Sequence, residues 1–554
     1  MKLHWRNCLI IVVGILSTFM FVRAQTEQTT PLFSFKAQSI FTSEFYTSSS
    51  EDTLWTPRLP PFIGRAILRG SCDIASVMSV PFELYYSNRN FGTNQPFNQL
   101  GINPRISNWL TLHAGYFSHT MSDFTFGDLR VLGGGVELHP GNVYLSTTYG
   151  VIREARPEQL RDTTVLFPGE YRRWMISAKL GYDHKNGNYV FLSMMKSWDD
   201  TITHRTLSQV SPSDNLVASI NGGFSLFKGL TVKAEGAVSA TNANRAAPAL
   251  DNQIYIPFHI FTPTVTSFID GAAKLSLFYN AHNEWNIKAD AQWVGPGFIT
   301  QGFMQLPNDV FDITVTPSLQ LLQKTISVRG SIGVRTNNLR NNRQSATQRI
   351  IGTGHVSWNH EQWLGIDASY ANYGMSSRHD NDTLRLQNVV QQINLSPRIM
   401  FEAWGGFHVI SGVFSVQDVD DNNVITQRLT NSTAFSGALT HTLTLKNSLN
   451  FTMSCMSTDV QTNQSHVKVI NVTETVAYSF IENVFDASVM GGIGSIDTGE
   501  DELQLLARIT GNYITKTFGT FSLMISLNSY DYTSASYNPA FRELLGNLQW
   551  IINF

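Results

Sequence analysis

The sequence predicts an all-β fold: one transmembrane antiparallel β-barrel of about 24 strands, with 20–26 allowed, behind an export signal. Three observations carry this reading. Segments of about 10 residues alternate apolar and polar side chains along most of the chain and break at Gly, Asn, Asp or Pro. Only 15% of the 554 residues are charged and 12% are aromatic, against roughly 25% charged in ordinary soluble proteins. The mean hydropathy of -0.10 is nonetheless too low for a bundle of apolar helices. Finally, the chain ends on an alternating strand whose last residue is Phe554.

Residues 1–24 read as a cleaved signal peptide. Lys2 and Arg6 precede an apolar run over 8–22, and Val22 and Ala24 are the small residues that a signal peptidase reads. That run is short for a membrane-spanning helix of about 20 residues. Residues 25–32 form a short segment, and 33–554 is assigned to the barrel, leaving no room for an N-terminal plug domain. The formal net charge of -3 excludes a strongly basic nucleic-acid binder.

Strand cores are expected at 33–46, 66–74, 80–87, 101–106, 109–118, 128–138, 143–153, 171–182, 189–198, 216–227, 230–241, 264–279 and 285–293. The second half adds 310–321, 325–336, 345–358, 363–373, 389–401, 406–416, 426–443, 449–458, 466–480, 485–496, 502–514, 518–532 and 541–554. Within 285–293, Trp285, Ile287, Ala289, Ala291 and Trp293 share one face, opposite Asn286, Lys288, Asp290 and Gln292. Aromatics at both ends of an apolar face suit the two membrane interfaces. A soluble sandwich would also alternate, but would divide a chain of this length into domains. Cys72 and Cys455 fall on apolar faces, so neither a disulfide nor a metal site is expected.

In the last strand Gly546, Leu548, Trp550, Ile552 and Phe554 share one face. This resembles the terminal β-signal of bacterial outer-membrane proteins, which implies recognition by the outer-membrane assembly machinery.

The polar faces predict a wet lumen lined by Arg69, Asp73, His113, Lys233, Glu235, Asp270, Lys274, Lys288, Asp290, Arg329, Arg335 and Arg508. Their mixed sign gives no ion preference, and no continuous apolar stripe lines the lumen. The 154–170 and 242–263 stretches are long enough to cover the pore. No HExxH, GxSxG or phosphate-binding glycine loop occurs, so no enzyme and no cofactor are expected. Gly133, Gly134 and Gly135 fall inside a strand and suggest close backbone packing or a bulge. The expected role is a pore for a polar solute or polymer. The alternative is a barrel subunit of an envelope secretion, assembly or surface-attachment complex, closed by loops or a protein partner.

The segments 96–104 (PFNQLGINP), 109–116 (WLTLHAGY), 133–141 (GGGVELHPG), 295–298 (GPGF) and 348–352 (QRIIG) resemble a family of large, poorly characterised outer-membrane β-barrel proteins of Bacteroidota. The resemblance implies the fold and an outer-membrane location in contact with its lipid; it carries over no functional residue. It also implies O-glycosylation at Asp-Thr tripeptides, which occur at Thr53, Thr163, Thr201 and Thr383.

Overall fold

The computed structural model describes residues 32–554 except 51–54, 76, 90–97, 162–163, 185, 202–209, 251–259, 283, 344, 379–386, 422, 424–426, 499–500 and 532–539. The signal peptide, the 25–31 stretch and Thr53, Thr163 and Thr383 lie outside the described residues. The first strands are β1 (Phe33–Ser50), β2 (Phe62–Ile74), β3 (Met78–Ser87), β4 (Gln99–Ile102), β5 (Arg105–Ile106), β6 (Leu110–Ser118), β7 (Arg130–Leu138), β8 (Val143–Arg153), β9 (Gln159–Arg161) and β10 (Thr164–Phe167). There follow β11 (Arg173–Asp183), β12 (Tyr189–Asp199), β13 (Asp214–Phe227), β14 (Leu230–Asn242), β15 (Ser267–His282), β16 (Trp285–Val294), β17 (Val310–Leu321), β18 (Ile326–Asn337), β19 (Ala346–His360) and β20 (Leu364–Arg378). The last are β21 (Gln387–Ala403), β22 (Gly406–Asp421), β23 (Ser432–Leu445), β24 (Leu449–Thr462), β25 (His466–Ile481), β26 (Phe485–Asp497), β27 (Asp501–Thr515), β28 (Gly519–Asp531) and β29 (Phe541–Asn553).

Among the described residues, 27 of these strands form one antiparallel sheet that closes where β1 pairs with β29. Strands β4 and β5 lie end to end between β3 and β6, broken at Asn103 and Pro104, so the wall has 26 staves. Proline supplies no ladder hydrogen bond, which accounts for the break. The 26 segments read from the sequence correspond to these staves, and their number lies at the upper end of the 20–26 range that the sequence allows. Closure removes the unpaired edges that a strand sheet otherwise exposes. One end of the barrel has tight turns, such as Trp404–Gly405 with both residues at positive φ. The other end carries the longer connections. Phe33 and Phe554 lie at the tight-turn end, where Phe554 N donates to the Ala37 carbonyl at 2.8 Å.

The alternation divides the wall into two faces. Trp285, Trp293, Ile313, Ile332 and Leu548 stand exposed on the outside, where lipid rather than water would meet them. Cys72 and Cys455 are free thiols on this outer face. Three outward charges are notable. Lys196 and Asp214 pair with each other and are buried, with Phe261 laid over the ammonium 4.9 Å from its ring centre. Glu474, midway along the outward face of β25 between Lys468 and Phe480, is exposed and has no hydrogen-bond or ion-pair partner among the described residues.

Glycines cross four neighbouring staves in one row: Gly101 pairs with Gly115, Gly115 with Gly133, and Gly133 with Gly150. A Cβ on Gly133 would overlap the Tyr149 carbonyl oxygen, and Gly115 has φ +84. The wall is creased here, as strand glycines at barrel corners allow.

Candidate functional site

Two connections at the long-loop end turn into the lumen instead of standing above it. The first spans residues 119–129, between β6 and β7. Its backbone is held by side chains of the inner wall. Glu235 accepts hydrogen bonds from Asp123 N (3.1 Å) and Phe124 N (3.2 Å), and Lys179 Nζ donates to the Met121 carbonyl at 2.7 Å. Lys274 pairs with Asp123, and Ser122 with Ser219. At its root the buried His119 sits 2.8 Å from Glu137 Oε1, which also meets His113 at 3.0 Å.

The second spans 295–309, between β16 and β17. Asn215 Nδ2 and Ser239 Oγ both donate to the Ile299 carbonyl, the former at 2.8 Å, and Gln301 N donates to Asn215 Oδ1 at 3.2 Å. Asp270 accepts from Gly297 N at 2.8 Å. The two segments then join each other. Gly127 N donates to the Gly302 carbonyl at 3.3 Å, Thr300 Oγ1 to the Thr125 carbonyl at 2.8 Å, and Met304 N to Asp128 at 3.1 Å. A Cβ on Gly302 would overlap the Thr125 carbonyl oxygen, so only glycine permits this approach.

An apolar belt explains why these segments lie down. Phe117, Val131, Met175, Met195, Val217, Ala237, Ala272 and Val294 point inward, one from each of their staves, and bury against Met121, Phe124, Phe126 and Phe298 of the segments. Burying a Phe or Met side chain contributes roughly 1.5–3 kcal/mol. The carboxylates then satisfy backbone N–H groups that would otherwise be stranded away from water. This belt corrects the expectation of a lumen wall without a continuous apolar stripe. It was invisible because each strand contributes a single residue.

Among the described residues, the 154–170 and 242–263 connections do not supply this cover. The first folds into the β9–β10 hairpin, with Arg156 paired to Glu170. In the second, Phe261 lies over the outward-facing Lys196.

Lys233, Glu235, Asp270, Lys274, Lys288 and Asp290 fall together on β14–β16, where Lys288 pairs with Asp290 at 2.9 Å. Arg335 meets Asp312 through two hydrogen bonds of 2.6 and 2.7 Å, on the same face of β18 as Arg329. Asp73 accepts from Ser79 at 2.5 Å, and Arg69 lies on the same face of β2. His113 joins the Glu137 cluster. Arg508 stands apart on β27. In the terminal strand Trp550 stacks on Phe521 at 5.3 Å and its Nε1 donates to the Phe518 carbonyl. Gly546, Leu548 and Ile552 pair with Phe45, Ser43 and Ser39 of β1. Thr201 is exposed at the end of β12.

The sequence reading missed Glu137 and His119, and also buried Asp199, which Arg153 and Arg173 grip at 2.9 and 2.7 Å. Alternation marked their faces, but only the fold brings them together.

The opposite arc of the lumen differs. Across β20–β27 hydroxyl and carboxamide groups bond one another: Asn394 to Ser369 (3.1 Å), Gln392 to Ser415 (3.3 Å), Thr440 to Ser454 (3.0 Å) and Ser488 to Thr510.

Fold and lumen together define an outer-membrane type of β-barrel with an internally constricted, polar bore. No protein-family model and no curated protein matches the chain. Similar solved structures include the P pilus usher (PapC) translocation pore, with 10% identity and a TM-score of 0.40, covering 94% of this chain and 100% of that one. The siderophore receptor PirA from Pseudomonas aeruginosa has 8% identity and a TM-score of 0.39, covering 95% and 81%. OccAB4 of Acinetobacter baumannii has 11% identity and a TM-score of 0.30, covering 69% and 98%. Likeness at this level carries no functional argument.

Proposed function

We propose that this protein is a non-enzymatic outer-membrane channel for a polar solute or polymer. The observation that carries the reading is the division of the lumen. The inward segments are anchored on the β6–β16 side, and the β20–β27 arc faces the bore mainly with hydroxyl and carboxamide groups. Such groups replace hydration water for a passing solute without binding it tightly. In this reading a signal peptide directs export, the terminal strand engages the assembly machinery, and the long connections face outside. The protein sits in outer-membrane lipid within the Bacteroidota barrel family, and exposed Thr201 accepts a glycan. Planar-bilayer recording of purified protein tests the channel: stable steps are expected, and a silent, folded barrel ends the reading.

A second reading, a barrel subunit of an envelope assembly, draws on Glu474. An uncovered acid on a lipid-facing surface suits a lateral protein partner that offers it a donor. Co-purification of one stoichiometric envelope protein, lost in Glu474→Gln, distinguishes this reading from the first.

A further inference from the structure

We propose that the lumen prefers anions and carries a binding site for a multiply charged oxyanion, carboxylate or phosphate, on Lys233 and Lys288. This deepens the channel reading by naming its solute class.

The argument begins with what the acids do. By count the wall carries both signs, but four carboxylates of the β6–β16 side, Asp123, Asp128, Glu235 and Asp270, are used in holding the inward segments. Glu235 is bound by two backbone N–H groups, Asp123 by Lys274, Asp128 by Met304 N, and Asp270 by Gly297 N and Arg340. Asp309 likewise holds Leu339 N and Arg343 in the neighbouring connection. An acid that accepts backbone hydrogen bonds has its charge met within the protein.

The bases are left differently. No ion pair joins Lys36, Arg69, Lys233, Arg329, Arg398 or Arg508 to an acid among the described residues. The segregation is sharpest in a cavity of about 640 Å³ beneath residues 120–123. Its charged lining is Lys179, Lys233, Lys274 and Lys288 against Asp123 and Glu235. Both acids are spent on the inward segment. Lys179 turns its ammonium to the Met121 carbonyl and Lys274 turns to Asp123. Lys233 therefore faces the cavity uncompensated, and Lys288 stands half exposed beside it with Asp290 as its one acidic neighbour. A cavity of this size with few convergent charges is the usual form of a small-molecule site. A second cavity of about 660 Å³ repeats the pattern: Lys36 and Arg69 line it, and its acid, Glu83, is bonded to Arg130. An anion entering either cavity meets Lys233, Lys36 and Arg69 with no acidic partner, while the acids lining the two cavities, Asp123, Glu235 and Glu83, are already bonded within the protein.

The test uses full-length protein purified in detergent, with pyrophosphate and citrate as probes in calorimetry at low ionic strength. Wild type should bind both, and not maltose. Lys233→Gln and Lys288→Gln should each weaken binding by roughly tenfold, the worth of one charge-assisted hydrogen bond. Lys516→Gln, in a tight turn, should leave it unchanged. Wild-type binding should also fall steeply between 20 and 300 mM salt, about the range over which charge is screened; this arm needs no variant. Failure of the wild type to bind either anion overturns the proposal, as does binding that survives Lys233→Gln with Lys288→Gln. In bilayers under a KCl gradient the reversal potential should report chloride preference; cation preference overturns the lumen-wide claim. A barrel that binds pyrophosphate without conducting keeps the site and refutes the channel.

Discussion

Phe124 stands edge-on to Phe298, ring centres 5.8 Å apart and planes at 75°, each carried by a different inward segment and each fully buried. Neither ring could bury itself alone in a wet bore. Phe298→Ala should therefore cost about 3–5 kcal/mol locally, as large-to-small core changes do. The barrel should still insert, because the wall does not depend on this contact. The expected result is unchanged heat-modifiable gel mobility with increased single-channel conductance and faster proteolysis near residues 120–128. Unchanged conductance would show that the pair does not set the constriction.

The two faces of the wall should be separable by chemistry. Cysteines at 288, 290, 329 and 335 should react with a membrane-impermeant maleimide through the bore, and those at 287, 289, 328 and 334 should not. Ala289→Arg or Val328→Arg puts a charge against lipid at a cost of roughly 2–4 kcal/mol near the bilayer midplane. Lys288→Gln and Arg329→Gln should fold nearly as well as wild type. The reverse labelling pattern would invert the assignment of every lumen residue.

The seam makes a sharper demand on the terminal strand. Trp550 pairs with Phe41 of β1 and Phe521 of β28, and Phe554 with Ala37. Trp550→Asp together with Phe554→Asp should block insertion, with the chain recovered as a protease-sensitive species rather than in membranes. Normal membrane levels would refute recognition through this face.

Glu474 should respond in the opposite sense. Removing an uncompensated acid from a lipid-facing position relieves a desolvation cost. Glu474→Leu should raise the unfolding free energy of the barrel by about 1–2 kcal/mol, somewhat less than the figure for a basic residue at that depth. Denaturant titration in lipid vesicles measures it. Destabilisation would mean that the carboxylate has a structural role in the isolated barrel.

Alternation made the staves legible because each half-buried strand repeats the same rule, as Trp285 to Trp293 does without exception. The inward segments were not legible for the complementary reason. Met175, Met195 and Val217 each sit singly among Ser177, Ser193 and Ser219 on a polar face, and one apolar residue in a polar row reads as noise. Asp128 was grouped with the strand that follows, which hid the segment it belongs to. Of the glycines at 133–135, read as close backbone packing or a bulge, Gly133 packs closely on the neighbouring backbone, although its partners Gly115 and Gly150 could be found only through pairing. The signs of the lumen charges could be counted from the sequence, but which acids were occupied depended on contacts such as Glu235 with Asp123 N.

The bridge between Phe126 and Gly302 joins two points separated by much of the first half of the chain. Its consequence is one of timing. As β6 and β7 emerge, Met121, Phe124 and Phe126 have only Phe117 and Val131 of the belt to cover and no second segment to meet. The staves that bear Met175, Met195 and Val217 come later, and Phe298 later still. The nascent barrel must pass through a stage in which a sticky apolar loop hangs in an open trough. Contacts so distant in sequence form slowly, and exposed apolar surface during slow folding invites aggregation. A holding chaperone or the insertion machine would have to shield residues 119–129 until β16 is in place, so this loop's burden falls on biogenesis before the pore exists.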